Sequence, residues 1–224
     1  CGKCVDVCKD EECSACGKCI DVCPLHLRKI CGTEYEAKDL ARELLKGKEI
    51  FEKSNGGITL SGGEPMAQPE FLLELVGYLK PVHIAIETSG YAPKETFRKI
   101  VDSVDLVFMD IKHTDPAVHK AVTGVDNGLI LENLRYLCSM EKAFYVRIPL
   151  IPGINDTEKN MEETAALLKD AKGLVRVELL PYHKTAGAKY PMLGKEYKPV
   201  FDVEQKPRAY LEPFKKYNIK GVVL

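Results

Sequence analysis

The chain has 224 residues, of which 45% are hydrophobic and 29% charged, and its formal net charge is −1. This is the composition of an ordinary soluble globular protein, and the balanced charge excludes the basic surplus typical of nucleic-acid-binding proteins. No apolar run reaches the roughly 18 residues of a membrane span, and no signal peptide is visible ahead of the first cysteines. We therefore expect a cytoplasmic protein that has neither nucleic acid nor a membrane as a partner.

Cysteines are concentrated at the start of the chain, where the first 23 residues hold seven of the nine. Such clustering favours metal ligands in a reducing compartment over disulfides. Residues 13–24 match C-x2-C-x2-C-x3-C-P, the bacterial ferredoxin pattern for 4Fe–4S clusters. A zinc knuckle and reduced structural thiols are the alternatives. The predicted metal ligands are Cys1, Cys4, Cys8, Cys13, Cys16, Cys19 and Cys23.

An internal repeat relates residues 1–8, CGKCVDVC, to residues 16–23, CGKCIDVC, with Val5 against Ile20 as the one difference. The second octet has Cys13 three residues ahead of it, so we expect a cysteine three residues before Cys1. The chain is then a fragment of a two-cluster motif. The fourth cysteine of such a run usually joins the other cluster, which gives two ligand sets. These are Cys8, Cys13, Cys16 and Cys19 for one cluster, and Cys1, Cys4, Cys23 and the missing cysteine for the other.

Strand and helix patterns alternate after residue 32. Helical periodicity is present within 33–54 and predicts helices at 69–80, 94–104, 129–140, 157–171 and over much of 204–217. Strands are predicted at 58–61, 83–90, 105–112, 144–153, 175–183 and 221–224. Because the strands are apolar and separated by helices, we expect an α/β fold with a parallel sheet or barrel.

Polar residues follow the strands at the points where they end. They lie at 62–64, 87–90, 110–112, 147 and 182–183. Each group has a simpler interpretation as a cap or turn, but in α/β sheets and barrels this rim is where ligands bind. The repeated placement of polar groups at strand ends therefore predicts a ligand site there.

Five short motifs together resemble one family. They are SGGEP (61–65), ETSG (87–90), MDIK (109–112), VRIPLIPG (146–153) and LLPYH (179–183). With PYHKTAGAKYPMLGKEY (181–197), they resemble the glycyl-radical enzyme activating enzymes of the radical S-adenosylmethionine (SAM) superfamily. The resemblance implies a partial (β/α) TIM-like barrel that lacks its first strand at 32–224. A small ferredoxin-like 4Fe–4S insert, incomplete at its N-terminus, would precede it at 1–31.

The same resemblance implies an oxidoreductase that cleaves SAM reductively at a 4Fe–4S cluster. It would abstract a hydrogen from a backbone glycine of a large glycyl-radical enzyme and take electrons from a donor such as flavodoxin or ferredoxin. The matching cofactor-binding positions are Gly62, Gly63 and Glu64 for the methionyl amino group, and Asp110, Ile111, Lys112 and His183 for other parts of the cofactor. Glu87 and Thr88 match an acid–threonine pair near a monovalent cation, although the family often has Asp at position 87. Arg147 matches an arginine that faces the active site and is the candidate catalytic residue.

The sequence departs from the family in one respect, because it contains no C-x3-C-x2-C pattern for the catalytic cluster. We therefore expect the chain as given to be inactive in SAM cleavage and to retain one or two auxiliary clusters. These clusters would either relay electrons or shape a docking surface. Two other functions fit parts of the sequence: a radical SAM enzyme for a small molecule, and an iron–sulfur electron carrier that would not bind SAM.

Overall fold

The structure is a computed structural model that describes residues 1–8, 16–30, 32–191 and 195–224. Its centre is a six-stranded sheet in which every neighbouring pair is parallel and the spatial order follows the chain, β1 to β6. The strands are β1 (Ile58–Leu60), β2 (Ile84–Thr88), β3 (Leu106–Asp110), β4 (Phe144–Leu150), β5 (Leu174–Pro181) and β6 (Gly221–Val223). This is the predicted α/β fold, in the form of part of a (β/α) barrel.

Helices connect the strands, as parallel pairing requires. In chain order they are α1 (Lys3–Val7), α2 (Lys18–Asp21), α3 (Ala37–Leu44), α4 (Lys48–Ser54), α5 (Pro69–Leu79), α6 (Lys94–Ser103), α7 (Pro116–Thr123), α8 (Gly128–Ser139), α9 (Glu158–Leu168) and α10 (Glu212–Lys215). Three short 3₁₀ segments lie at Leu45–Gly47, Pro65–Ala67 and Lys184–Lys189. The predicted helical stretch at 33–54 is therefore two helices with the segment that ends at Gly47 between them.

The two faces of the sheet differ, and this difference positions the functional residues. On β3 and β4 the residues alternate between buried and half-buried, as the period of two in a strand dictates. Met109 and Val146 are fully buried in the core with helix residues such as Phe97. Phe108 and Arg147 lie on the opposite face of these strands, which stays partly accessible.

One predicted element is wrong. A helix was expected over much of 204–217, but only α10 is helical there. Pro207 and Pro213 interrupt this stretch, and a proline lacks the N–H that a helix interior needs. The sequence patterns also missed α7, which begins where the Asp115 side chain accepts hydrogen bonds from the backbone N–H groups of Ala117 and Val118.

The two cysteine octets begin with the same local backbone. Gly2 and Gly17 both have left-handed conformations, with φ, ψ of 81°, −12° and 79°, −15°, and each precedes a short helix. The first hydrogen bonds correspond as well: the Val5 and Ile20 N–H groups donate to the carbonyls of Gly2 and Gly17, both at 2.8 Å. The structural repeat covers the first part of each octet, because the Cys8 N–H donates to the Cys4 carbonyl whereas the Cys23 N–H donates to the Ile20 carbonyl.

Within the described residues, no helix combines the length and the apolar character needed to cross a membrane.

Candidate functional site

The carboxyl ends of β1 to β4 surround a cleft of about 240 Å³. Its lining consists of Ser61, Gly62, Gly63, Glu64, Glu87, Thr88, Ser89, Asp110, Lys112 and Arg147. These residues are distant in sequence, but parallel strands bring their carboxyl ends to one edge of the sheet. Eight of the ten predicted cofactor-binding and catalytic residues thus line a single cleft.

Glu64 holds the loop after β1 against the end of β2. Its Oε1 accepts hydrogen bonds from Thr88 Oγ1 (2.8 Å) and the Met66 N–H (3.1 Å). Its Oε2 accepts from the N–H (2.8 Å) and Oγ (2.7 Å) of Ser89. Four donors therefore converge on the two carboxylate oxygens of Glu64. In this structure Glu64 braces the loop whose glycines line the cleft.

The two glycines before Glu64 leave the backbone open to the cleft. Gly62 has φ of +140°, which side-chain-bearing residues rarely adopt. A Cβ atom placed on Gly62 or Gly63 would meet no heavy atom within 4 Å, so the space beside both residues is open. A ligand can therefore approach this part of the backbone directly.

Glu87 and Arg147 form an ion pair across the cleft floor. Arg147 Nη1 donates to Glu87 Oε1 at 2.5 Å, and Ser61 Oγ donates to Glu87 Oε2 at 2.7 Å. The hydrogen bond from Ser61 lowers the pKa of Glu87 below its ordinary value, and Arg147 lowers it further, against the effect of burial. Glu87 therefore carries its negative charge at neutral pH.

Asp110 and Lys112 also line the cleft, with Asp110 Oδ2 3.6 Å from Lys112 Nζ. Burial raises the pKa of Asp110 above its ordinary value, and the positive charges of Lys112 and Arg147 offset part of that rise. The cleft thus offers separate carboxylates and cations, which is the donor set for a zwitterionic amino acid group. With the open glycine backbone, these residues fit the methionyl end of SAM.

Sequence reasoning missed a residue that fixes the position of Lys112. Asn155 is 3% exposed and lies in the loop after β4. Its Nδ2 donates to the carbonyls of Lys112 (2.8 Å) and Pro149 (2.7 Å), and its Oδ1 accepts from the Ile151 N–H (2.6 Å). It ties the loops after β3 and β4 together. Its position two residues after the Pro152-Gly153 pair was the available signal, because Asn is common in turns.

The sequence also gave little reason to select Arg176 and Glu178 on β5. They are two residues apart and so share one face of the strand. Glu178 is 2% exposed and accepts from Arg147 Nε at 2.8 Å. Two opposite charges at this spacing within an apolar strand were the available signal, since a charge is rarely buried without a partner.

Two predicted cofactor-binding residues do not line the cleft. Ile111 is 2% exposed, and its N–H donates to the Arg147 carbonyl at 2.8 Å, so its side chain belongs to the core. His183 is exposed and caps the 3₁₀ segment Lys184–Lys189, with Nδ1 2.8 Å from Thr185 Oγ1. The assignment of both residues to the cofactor stays a prediction.

The structure describes six of the seven predicted metal ligands, and Cys13 lies outside the described residues. The six are Cys1, Cys4, Cys8, Cys16, Cys19 and Cys23, all exposed or half-buried and free of disulfides. Within residues 1–8, 16–30, 32–191 and 195–224, no three Cys, His, Asp or Glu residues are gathered closely enough to hold a metal ion.

Backbone N–H groups surround the sulfur of Cys23. Its Sγ accepts a hydrogen bond from the Leu27 N–H at 3.3 Å. This bond and those from the neighbouring backbone lower the pKa of the Cys23 thiol. Thiolates are the ligands of iron–sulfur clusters, and the two octets share the backbone conformation of their glycines, Gly2 and Gly17. The donor chemistry of these residues therefore fits a cluster.

Comparisons with known proteins identify the family of the chain. A family model described as the radical SAM superfamily matches residues 23–177. A 4-hydroxyphenylacetate decarboxylase activating enzyme from Clostridioides difficile is 40% identical over 175 residues, which is 75% of this chain and 54% of that protein. The chain thus spans about half the length of that relative.

Two further comparisons cover most of the other protein. A pyruvate formate-lyase-activating enzyme from Clostridium pasteurianum is 34% identical over 188 residues, with 83% of this chain and 78% of that protein covered. The crystal structure of a domain of pyruvate-formate lyase-activating enzyme from Bacteroides vulgatus aligns with a TM-score of 0.59 and 31% identity. The alignment covers 75% of this chain and 99% of that domain.

Proposed function

Because the chain belongs to the radical SAM superfamily, and within it to the glycyl-radical enzyme activating enzymes, we propose that its cleft binds SAM for the activation of a partner enzyme. The whole protein would abstract a hydrogen from a backbone glycine of that partner. The observation that carries this proposal is the convergence of Glu64, Glu87, Asp110, Lys112 and Arg147 in one cleft.

Each group in the cleft has a part in holding the cofactor. The open backbone at Gly62 and Gly63 would receive the methionyl amino group, with the Glu64 carboxylate fixing the loop that presents it. Lys112 would pair with the methionyl carboxylate, because a carboxylate prefers a charged donor. Asn155 would fix the position of Lys112 through its hydrogen bond to the Lys112 backbone carbonyl. His183 would contact the cofactor from the segment after β5.

SAM, bound to a reduced 4Fe–4S cluster, supplies the radical chemistry of the superfamily. This chain's own residues would orient the cofactor relative to the glycine segment, which is the part of the partner enzyme that carries the reacting glycine. Arg147, at the floor of the cleft, would donate hydrogen bonds there. A displacement of about 1 Å in such an arrangement can cost about a hundredfold in rate, so orientation is a substantial part of the catalysis.

Residues 1–31 are proposed to form a separate ferredoxin-like unit that holds one or two auxiliary clusters, with the barrel segment at 32–224. The repeated backbone at Gly2 and Gly17 and the N–H bond to Cys23 support this division. Iron–sulfur potentials extend low enough for these clusters to pass electrons from flavodoxin or ferredoxin toward the catalytic cluster. A run of free cysteines is stable in a reducing compartment, which supports a cytoplasmic location.

A monovalent cation beside Glu87 and Thr88 is the finest detail of the proposal. Three carboxylates, Glu64, Glu87 and Asp110, line the cleft and favour a cation there. Arg147 already neutralises part of this charge. SAM affinity measured in potassium and in tetramethylammonium salts tests the detail, and we expect weaker binding in the latter.

The partner is proposed to be a large glycyl-radical enzyme, and the relatives supply the candidates. Their names refer to 4-hydroxyphenylacetate decarboxylase, choline trimethylamine-lyase, trans-4-hydroxy-L-proline dehydratase and pyruvate formate-lyase. Nothing in the charge balance of −1 favours nucleic acid as a partner.

Equilibrium dialysis of the anaerobic, cluster-reconstituted protein against labelled SAM is the first test. We expect wild-type protein to bind, and Lys112→Gln to bind about tenfold more weakly, because a hydrogen bond to a charged group is lost. Lys99→Gln, an exposed residue on α6, is the matched control and should bind as wild type. Absence of binding by wild-type protein would contradict the proposal and favour an electron carrier.

The second test is the formation of a glycyl radical, followed by electron paramagnetic resonance. The whole protein, dithionite and SAM are incubated with each of the four candidate enzymes. A radical signal in one of them identifies the partner class. SAM binding with formation of 5′-deoxyadenosine but no radical in any of the four would favour a small-molecule substrate.

A further inference from the structure

A buried carboxylate lies next to the cleft without lining it. Glu178 is 2% exposed, and β5 places it beside Arg147 in the sheet register. The same register places Arg147 beside Asp110. One row across three strands therefore reads acid, base, acid: Asp110, Arg147, Glu178.

Glu178 is fully engaged with two arginines. Its Oε2 accepts from Arg147 Nε at 2.8 Å, and its Oε1 accepts from Arg176 Nε at 2.9 Å and Nη2 at 2.7 Å. Burial by itself would raise the pKa of Glu178, but the bonds from both arginines outweigh it and lower the pKa. The carboxylate is therefore ionised, and Arg176 supplies the second positive charge that allows it to be buried beside Arg147.

The result is an Arg147 guanidinium held from several sides. Nε is bound to Glu178, and Nη1 is bound to Glu87 at 2.5 Å. The guanidinium carbon lies 4.1 Å from the centre of the Phe108 ring. Within the part of the chain that the structure describes, no group accepts a hydrogen bond from Nη2 of Arg147. This leaves one donor edge of a fixed cation available at a residue that lines the cleft.

The aromatic side chains below the guanidinium add to this rigidity. Phe108 stacks on Tyr145 with ring centres 4.8 Å apart, and Arg176 lies over Tyr145 at 5.1 Å. Each arginine therefore has an aromatic ring on one side and the Glu178 carboxylate on another. Planar guanidinium groups suit such stacked, forked contacts, which a lysine could not reproduce.

Stability alone does not account for this arrangement. Replacing a buried ion pair with apolar residues of similar volume is often neutral or stabilising, so buried charges are weak contributors to folding. What the charges provide is a defined position for Arg147, and a rate or affinity that depends on orientation is sensitive to that position.

We propose that Glu178 is a positioning residue for Arg147, with Arg176 as its supporting countercharge. It fixes the free edge of the guanidinium so that this edge donates to an acceptor oxygen in the cleft. The inference rests on the proposed function and adds which oxygen in the cleft accepts the hydrogen bond from Arg147. A carboxylate oxygen of SAM and a backbone carbonyl of the glycine segment share this chemistry, and the test distinguishes them.

Glu178→Gln is the central variant, because its amide matches the carboxylate in size but places N–H groups against one of the arginines. We expect either SAM affinity or the rate of glycyl-radical formation to fall about tenfold to a hundredfold, the range for a displaced charge-assisted contact. If the acceptor belongs to SAM, the loss is in the SAM dissociation constant. If it belongs to the glycine segment, SAM affinity is unchanged and glycyl-radical formation in the whole protein falls. Glu132→Gln, which removes an exposed ion pair with Lys94 on the outer helices, is the matched control and should have no effect.

A double-mutant cycle with Arg147→Lys separates positioning from a general structural effect. If Glu178 acts through Arg147, Glu178→Gln has little further effect in the Arg147→Lys background. The proposal would be overturned if the losses caused by Glu178→Gln and Arg147→Lys multiplied in the double variant. It would also be overturned if Glu178→Gln had the same SAM affinity and radical formation as Glu132→Gln. If Glu178→Gln does not fold, Glu178→Asp takes its place, since it keeps the charge and moves it by one methylene.

Failure of this inference differs from failure of the proposed function. Wild-type protein that neither binds SAM nor forms a radical in any candidate partner contradicts both. Wild-type protein that does so, with Glu178→Gln equal to the control, contradicts the positioning role alone.

Discussion

The four hydrogen bonds to Glu64 make a stringent prediction for Glu64→Gln. The two hydroxyl donors, Thr88 and Ser89, can turn and become acceptors. The two backbone donors, at Met66 and Ser89, cannot, and they bind different carboxylate oxygens. Whichever way the new amide turns, its NH₂ group faces one of these N–H groups. At least one hydrogen bond to a charged group is therefore lost.

The magnitude follows from that single unavoidable loss. A hydrogen bond to a charged group contributes about 1.5 to 3 kcal/mol, and Glu64 is only half-buried, so we take about 2 kcal/mol. For a chain of this size, that corresponds to a fall in the melting temperature of about 4 to 8 °C. SAM affinity should fall as well, because the glycine loop is held through Glu64.

Urea unfolding followed by circular dichroism measures the effect. Glu74→Gln, the same chemical change at an exposed position of α5, is the control and should unfold at the wild-type midpoint. Equal midpoints for Glu64→Gln and Glu74→Gln would refute the bracing role. SAM affinity lost without any change in stability would instead assign Glu64 a direct contact with the cofactor.

Three further changes test the surroundings of the cleft. Gly90→Ala should lower the free energy of unfolding by about 1 to 2 kcal/mol, because φ at Gly90 is +72° and the new Cβ would press on Met109. Gly77→Ala, within α5, should instead raise the free energy of unfolding by up to about 1 kcal/mol. Opposite signs for the two glycines are the criterion. Asp110→Asn should be more stable than wild type at neutral pH. Burial raises the pKa of Asp110, so the folded state binds a proton at this residue more tightly than the unfolded state does. The wild type therefore loses stability as the pH rises above 3.8, whereas the Asn variant has no proton to lose there. The gap should close as the pH falls toward 3.8, and a constant gap would contradict this. Asn155→Ala should lower the free energy of unfolding by about 3 kcal/mol, since it removes the Asn155 side chain from three backbone groups. It should also weaken SAM binding. A stability loss with unchanged SAM binding would show that these loops do not position the binding site.

The wrong helix at 204–217 and the missed α7 have the same origin. Local patterns describe which face of a segment is apolar, but they do not say whether its backbone donors find partners. Pro207 and Pro213 remove donors that a continuous helix would need. Conversely, α7 is short and weakly patterned, and it begins at the Asp115 cap with Pro116 in its first turn.

The sequence alone determined the alternation of strands and helices, because a strand buried between helices must be apolar and its ends must turn. It also determined which motifs lie near strand ends, so that Gly62, Glu87, Asp110 and Arg147 could be selected as one site, although Arg147 lies in the middle of β4 and not at its end. Their meeting follows from parallel pairing, which brings carboxyl ends to a common edge. The octet repeat was likewise readable from its glycines and cysteines.

The tertiary structure decided what each polar group does. Glu64 was selected as a ligand contact, which stays a prediction, and its four hydrogen bonds add that it braces a loop. Glu178 and Asn155 were not selected, because their importance lies in partners from other strands and loops. Sequence patterns report the environment of a residue along its own segment. Hydrogen bonds between segments depend on register and distance, which exist only once the sheet has formed.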